Sequence, residues 1–319
     1  MMNENYTIAT RGSKLALIQT EIVSNSLRSI FPSTNCNIIK IKSMGDIQRN
    51  KFLFSVNEKG IFEKEVNRAV LDGRADFAVH SIKDIPTELD GDLVIASILK
   101  RESPNDVLIG NSKMKLEQLP KNSRIGTSSL RRAVQIKRKN PNVNVIPIRG
   151  NVESRVKKCI EGPFDALVLA EAGLKRLELS DHIIQRFSYR DFVPAPGQGA
   201  IGIVCRKDNK GVLGVLQEIE DKSTRYAIDS ERSLIQYLDA GCRFPVGAIA
   251  IPNMGTQSIT LHASVFSADG SESINIEKTD VISNAAKIGK QVANDLLSRG
   301  AGDFAHEWRE ALEKWSIQK

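Results

Sequence analysis

Twice in its first two hundred residues the chain repeats one pattern: a short apolar run, a turn of small or polar residues, then a stretch with apolar residues on one helical side. Alternation of period-2 and period-3.6 patterning specifies β-α-β units and mainly parallel sheets, with ligand sites at strand C-termini. Residues 6–9, 38–42 and 76–80 read as strands. Ser13 reads as the cap of a helix burying Leu15, Ile18, Ile22 and Ile30. Ile61, Phe62, Val66, Ala69 and Val70 form one face of a second helix, which ends at Gly73. In the middle third, 124–126, 144–149 and 165–170 read as strands, and 129–139 and 151–160 as helices, the latter with Val152, Val156 and Ile160 on one side. A proline-rich crossover at 193–202 leads into a strand at 201–205. The last third changes character. A helix around 230–238 precedes alternation at 259–266, which suggests an antiparallel sheet, and a helix over 284–297 has Ala285, Ile288, Val292 and Leu296 on one side. The tail from 301 reads as a surface helix without a functional signal. The expected architecture is two α/β domains and a smaller α+β domain.

The strongest functional signal lies at the turns of the middle third. Between Arg124 and Lys158 ten Lys and Arg residues face one acidic residue, Glu153. The segment includes Gly126-Thr127-Ser128-Ser129-Leu130-Arg131-Arg132 and Ile148-Arg149-Gly150-Asn151-Val152-Glu153-Ser154-Arg155. A small-residue turn that opens a helix offers unpaired backbone N–H groups and the positive end of the helix dipole. Arginines around such turns suit several carboxylates or phosphates at once. The net charge of +7 also favours an acidic partner. Aromatic residues make up only 5% of the chain, which weakens a single-strand nucleic-acid reading. Arg131 and Arg132 fall in the first helical turn after a glycine loop, a place suited to cradling a small anion and less to lying along a DNA groove. Phosphate, DNA and carboxylate remain open at this point.

Other motifs carry two readings each. Gly197-Gln198-Gly199-Ala200-Ile201-Gly202 matches a dinucleotide fingerprint, yet it follows a proline-rich turn and runs into a strand, against the strand-to-helix context that chemistry needs. His80-Ser81-Ile82-Lys83-Asp84 sits where a buried strand ends. Asp84 there is either a helix cap or a carboxylate held among cations for catalysis, and His80 fits a satisfied core histidine. Cys242 in Gly241-Cys242-Arg243-Phe244-Pro245 is either an inert small residue or a thiolate favoured by Arg243. The four cysteines show no C-x-x-C spacing, so neither a zinc site nor a disulfide framework is expected. No apolar run approaches the roughly 20 residues that span a bilayer. The start Met1-Met2-Asn3-Glu4-Asn5 lacks the apolar core of a signal peptide, so a cytoplasmic protein is expected.

Taken together, the segments resemble the porphobilinogen deaminase (hydroxymethylbilane synthase) family. The motifs are Ile8-Ala9-Thr10-Arg11-Gly12-Ser13, Val79-His80-Ser81-Ile82-Lys83-Asp84-Ile85-Pro86, Gly126 to Arg132, Arg149-Gly150-Asn151-Val152, Leu169-Ala170-Glu171-Ala172-Gly173-Leu174-Lys175-Arg176, Val193-Pro194-Ala195-Pro196-Gly197-Gln198-Gly199-Ala200 and Gly241-Cys242-Arg243-Phe244-Pro245-Val246-Gly247-Ala248. The resemblance implies two α/β domains built like type II periplasmic binding proteins, with a cleft between them, and a smaller C-terminal α+β domain. The corresponding boundaries are 1–99 with 200–217, 100–199, and 218–319.

It further implies a transferase of haem and tetrapyrrole biosynthesis, monomeric, acting on porphobilinogen without nucleic acid, membrane or metal. A dipyrromethane cofactor, joined by a thioether to Cys242, is extended by four porphobilinogens with loss of ammonia and released as a linear tetrapyrrole by hydrolysis. Asp84 matches the family's catalytic carboxylate. Ser81, Lys83, Thr127, Ser129, Arg131, Arg132, Arg149, Gly150, Arg155, Ala170, Gln198 and Gly199 match cofactor-binding positions. Arg11, Ser13, Lys59, Arg149, Arg155 and Arg176 match substrate-binding ones. Three positions depart from the family pattern: Asn57-Glu58 where a Gly-Gly pair usually precedes Lys59-Gly60, Ala240 before Gly241, and Thr7 in place of a basic residue. A non-catalytic anion-binding module of periplasmic-binding-protein type would explain the arginines but gives no reason for Asp84 or Cys242.

Overall fold

The computed structural model describes residues 5–42, 63–238 and 245–317. Lys59, Cys242 and the departures at Asn57-Glu58 and Ala240 lie outside the described residues, as do Ile61 and Phe62. The chain divides into two compact units, with one boundary between Gln198 and Gly199.

The first unit comprises the described residues up to Glu102 together with Gly199–Arg225. It holds β1 (Asn5–Arg11), α1 (Lys14–Ile30), β2 (Asn35–Ile41), α2 (Lys64–Leu71), β3 (Phe77–Ser81), β4 (Leu93–Ile98), β10 (Ile201–Arg206), α6 (Lys210–Gln217) and the first turn of α7 (Lys222–Leu238). Its sheet runs β2-β1-β3-β10-β4. Strands β2, β1 and β3 are mutually parallel, and β10 runs antiparallel to both β3 and β4. The expectation of mainly parallel sheets is therefore half right. The strand that returns after the crossover enters from the opposite edge, so it pairs antiparallel.

The second unit repeats that arrangement. It contains β5 (Asp106–Gly110), β6 (Arg124–Gly126), α3 (Leu130–Lys139), β7 (Asn144–Ile146), α4 (Val152–Ile160), β8 (Ala166–Ala170), α5 (Glu171–Arg176) and β9 (Ile183–Arg186). The sheet order is β7-β6-β8-β5-β9, with β7, β6 and β8 parallel and β5 antiparallel to β8 and β9. The same unit carries a separate antiparallel sheet of β11 (Val246–Asn253), β12 (Ser258–Phe266) and β13 (Ser273–Val281). Helices α8 (Ala285–Ser298) and α9 (Ala301–Ile317) follow it. Leu261, Val265, Ile288, Val292 and Leu296 share one apolar core there, as the spacing in 284–297 predicts.

The helix starts follow from local chemistry. Ser13, Ser129 and Asn151 each accept a hydrogen bond from a first-turn backbone N–H, of Ala16, Arg132 and Ser154. Two helix faces differ from expectation. Helix α1 buries Gln19, Thr20, Val23, Ser24 and Leu27, whereas Ile30 is exposed. Thr20 and Ser24 hydroxyls donate to carbonyls one turn back, at 2.9 and 3.1 Å, so polar side chains occupy the buried face without a desolvation penalty. Helix α4 buries Val156 and Cys159 and leaves Ile160 exposed. The tail is not a mere surface helix: Ala301, Phe304, Ala305 and Trp308 join the C-terminal core, and Trp308 Nε1 donates to the Phe266 carbonyl at 2.8 Å.

Gly197 and Gly199 take φ of +75° and +90°, values that suit glycine, and the turn they form leads straight into β10. The third glycine of that motif serves packing. A Cβ on Gly202 would lie 2.3 Å from Ile82 Cδ1.

Candidate active site

In the first unit β1 and β3 are parallel, so Arg11 and Ser81 end at the same sheet edge. Ser13 follows Arg11 as the cap of α1, and a single 3-10 turn, Ile82–Asp84, follows Ser81. That turn is fixed from below. The Ile82 N–H donates to the Ala200 carbonyl at 3.0 Å, and the Ile82 side chain fills the space over Gly202. Gln19 Nε2 donates to Ser81 Oγ at 2.8 Å. His80 is buried with Nε2 2.9 Å from Asn67 Oδ1. Burial, then the nearby Arg11 charge, pushes its pKa down to about 4. It is a neutral core histidine, as the sequence suggests. Arg11, Ser13, Gln19, Ser81 and Asp84 line a cavity of about 60 Å³, together with Glu63, which sequence reasoning did not single out. Lys83 and Asp84 are exposed. Gly199 accepts a bond from the Glu102 N–H at 3.2 Å and so acts here through its backbone.

In the second unit the ends of β6, β7 and β8 meet at one edge, because the three strands are parallel. The turn after β6 is stitched to the one after β7. Thr127 N–H donates to the Ile146 carbonyl at 3.0 Å, and Ser128 Oγ both donates to the Ile148 carbonyl and accepts from its N–H. Thr127 Oγ1 accepts from the Ser129 N–H at 3.2 Å. Gly150 takes φ +122°, and its carbonyl accepts from Arg155 Nε at 2.7 Å. The Arg149 carbonyl accepts from Lys158 Nζ at 3.1 Å, and partial burial lowers the Arg149 guanidinium pKa. Ala170 closes β8 at the same edge, and Arg176 ends the short helix α5 that follows. Thr127, Ser129, Arg149, Gly150, Arg155 and Ala170 thus belong to one set of strand-end loops.

Arg131 and Arg132 have a further role that the sequence concealed. Both are buried, and both pair with Asp106, which is fully buried at the start of β5. Arg131 Nη2 lies 2.7 Å from Asp106 Oδ2, and its Nη1 donates to the Val193 carbonyl at 2.6 Å. Arg132 Nε and Nη2 fork onto Asp106 Oδ1 at 3.0 and 2.7 Å. Gln198 completes the cluster, donating to Asp106 Oδ1 at 3.0 Å and accepting from Arg132 Nη2 at 3.3 Å. Burial by itself would raise the Asp106 pKa, but the two guanidiniums override it and bring it to about 2. The imbalance of ten cations to one acid is thereby relieved by a carboxylate from outside the segment. No local pattern announces Asp106, since it stands 25 residues from Arg131 and begins an apolar run. Two guanidiniums against one carboxylate still leave the cluster with a net positive charge.

A model of the porphobilinogen deaminase dipyrromethane cofactor-binding domain matches residues 6–214, and one of the porphobilinogen deaminase C-terminal domain matches 226–298. The chain belongs to the porphobilinogen deaminase family. A probable porphobilinogen deaminase of Nitrosopumilus maritimus is 45% identical over 98% of this chain and 99% of that protein. The porphobilinogen deaminase of Brevibacillus brevis is 40% identical over 95% and 97% of the two chains. Among solved structures, the methionine-binding protein MetQ aligns at TM-score 0.45 and 10% identity over 69% of this chain and 91% of that one, a likeness too loose to carry an argument. Membership makes the chain an enzyme of tetrapyrrole biosynthesis with a dipyrromethane cofactor. The donor set suits such a group. Arginines and hydroxyls gather at one sheet edge beside a buried cluster of net positive charge, as a polycarboxylate requires. Among the described residues, no group of three or more His, Cys, Asp or Glu side chains could hold a metal ion, and no helix is long and apolar enough to cross a membrane.

Proposed function

We propose that this porphobilinogen deaminase homologue joins four porphobilinogen units head to tail, with loss of ammonia, and releases hydroxymethylbilane. When bound through Cys242, the dipyrromethane supplies the primer for that extension. The observation that carries the reading is Asp84, in the single 3-10 turn that follows β3, lining one cavity with Arg11 and Ser13. A fixed carboxylate there stabilises the positive charge that develops on the pyrrole as ammonia departs. It also assists proton transfer at the pyrrole nitrogen and at the leaving amine.

Each pyrrole brings an acetate and a propionate, hence two negative charges. Arg11, Arg149, Arg155 and Arg176 hold these carboxylates, with Ser13, Ser81, Lys83, Thr127 and Ser129 as further donors and Lys59 at the substrate. Arg131 and Arg132, oriented by Asp106 and Gln198, present the positive N-terminal turn of α3 to the cofactor. The backbones of Gly150, Ala170 and Gly199 shape the approach. The three sheets support a division into domains of 1–99 with 200–217, 100–199, and 218–319. The enzyme works as a cytoplasmic monomer.

Intact-mass measurement of the purified protein tests the reading. The mass should exceed that of the bare chain by two pyrrole units, and the excess should vanish in Cys242→Ser. A bare mass together with no ammonia release from porphobilinogen would overturn it.

A further inference from the structure

In the second unit, residues Val193 to Gln198 form a strap between α3 and the C-terminal sheet. On one side the Val193 carbonyl accepts from Arg131 Nη1 at 2.6 Å and from Gln135 Nε2 at 3.2 Å. On the other lies β11, an edge strand, whose outward N–H groups are taken up in turn. Ala248 donates to the Pro194 carbonyl at 2.9 Å, and Ala250 donates to Glu231 Oε1 at 2.9 Å. The strap ends in a tight turn. The Gln198 N–H closes it on the Ala195 carbonyl at 3.0 Å, with Pro196 second and Gly197 third at φ +75°, the pattern of a type II turn. Such a turn does not use its central N–H, that of Gly197, and a buried donor needs a partner. Glu231 Oε2 supplies one at 2.6 Å.

Glu231 is fully buried on α7, and α7 is itself held firmly. Ser230 Oγ donates to the Ala285 carbonyl at 2.7 Å, and Ser233 Oγ to that of Ala286 at 2.6 Å. A Cβ on Gly289 would lie 2.4 Å from the Ser230 carbonyl oxygen, so α7 and α8 pack backbone to backbone. In the sequence Cys242 falls between α7 and β11. One side chain therefore joins the helix that precedes Cys242, the strand that follows it and the turn that carries Gln198. The Gln198 side chain in turn donates to Asp106 Oδ1 and accepts from Arg132 Nη2.

We propose that Glu231 is a positioning residue for the cofactor. It holds the elements on either side of Cys242 in register with Gln198, and through Gln198 with Asp106 and the Arg132 guanidinium. The inference rests on the reading that the dipyrromethane is attached at Cys242. A tethered polycarboxylate meets fixed arginines well only if tether and arginines are set to within about 0.5 Å of each other by rigid supports. Glu231 links the two supports.

Glu231→Gln keeps the shape of the side chain but leaves one acceptor oxygen for two N–H groups. A double-mutant cycle with Gln198→Ala in the full-length holoenzyme tests the proposal. One readout is the rate at which a first porphobilinogen adds, followed by quenching and intact mass. The others are the share of purified chains that carry the two-pyrrole adduct and amide hydrogen exchange at Gly197. Glu231→Gln should slow addition about ten- to a hundredfold, the factor that one hydrogen bond to a charged group represents. It should also raise the share of bare chains and speed exchange at Gly197. The double variant should be no slower than the slower single variant, whereas losses that travel by separate routes, general destabilisation included, multiply. If Glu231→Gln fails to fold or to carry its adduct, Glu231→Asp takes its place in the cycle, since its shorter arm cannot span both N–H groups. Multiplying losses, a wild-type rate of addition in the single Glu231 variant, or unchanged exchange at Gly197 there overturns the inference. A wild type purified without the two-pyrrole adduct overturns the cofactor reading and this inference with it.

Discussion

Replacing Asp106 with Asn would leave the Arg131 and Arg132 guanidiniums side by side in the interior without their counter-ion. The carboxylate accepts three of their hydrogen bonds at 2.7–3.0 Å and is itself fully buried. Removing one partner of such a pair costs about 3–5 kcal/mol, mostly because the remaining charge stays buried. The proton equilibrium supplies an independent figure. Lowering the Asp106 pKa from 3.8 to about 2 corresponds to about 2–3 kcal/mol of folding stability. Because the folded pKa lies below the unfolded one, the folded state takes up the proton less readily. That contribution is therefore complete above about pH 4 and disappears as pH falls through about 2. Urea unfolding followed by near-ultraviolet circular dichroism at pH 7 should show Asp106→Asn less stable than wild type by about 3 kcal/mol or more. The gap should narrow as both proteins are taken from pH 4 towards pH 2. A loss under about 1 kcal/mol at pH 7, typical of an exposed pair, would refute the reasoning, and so would a gap that persists undiminished in acid.

Gly202→Ala should destabilise the first unit by about 1–3 kcal/mol, since the new methyl would lie 2.3 Å from the buried Ile82 side chain. Porphobilinogen turnover should fall more steeply than stability does, because Ile82 begins the turn that carries Asp84; unchanged kcat with normal unfolding would show that the turn yields freely. Trp308→Ala should cost about 3–5 kcal/mol, because it empties a buried site and leaves the Phe266 carbonyl without its donor. Trp308→Phe should recover most of the loss, and wild-type stability of the alanine variant in urea would show the tail helix to be dispensable.

Local chemistry made much of the fold legible. Caps at Ser13, Ser129 and Asn151 act on N–H groups only three residues away, so the sequence marks these helix starts. The stripe of Ala285, Ile288, Val292 and Leu296 is likewise visible, since a helix facing an apolar sheet must present apolar residues at that period. The face of α1 was not legible, because its buried Gln19, Thr20 and Ser24 satisfy their polar atoms by bonds that no hydropathy pattern records. Among site residues, the strand-end loops were marked by glycines, hydroxyls and arginines. Asp106 and Glu63 were not, since an isolated acid beside an apolar run looks like any boundary residue.

The sequence by itself determined the alternating β-α-β order, the places where helices begin, the family, and the concentration of positive charge at the turns after β6 and β7. These depend on neighbours within a few residues or on motifs read in order. Only the tertiary structure decided that the return strands run antiparallel, that two of the cluster's arginines share a buried carboxylate, and that Glu63 and Asp84 line one small cavity. Each depends on groups distant in sequence meeting in a low-dielectric interior, where the energy of a charge is set by what surrounds it in space and not by what adjoins it along the chain.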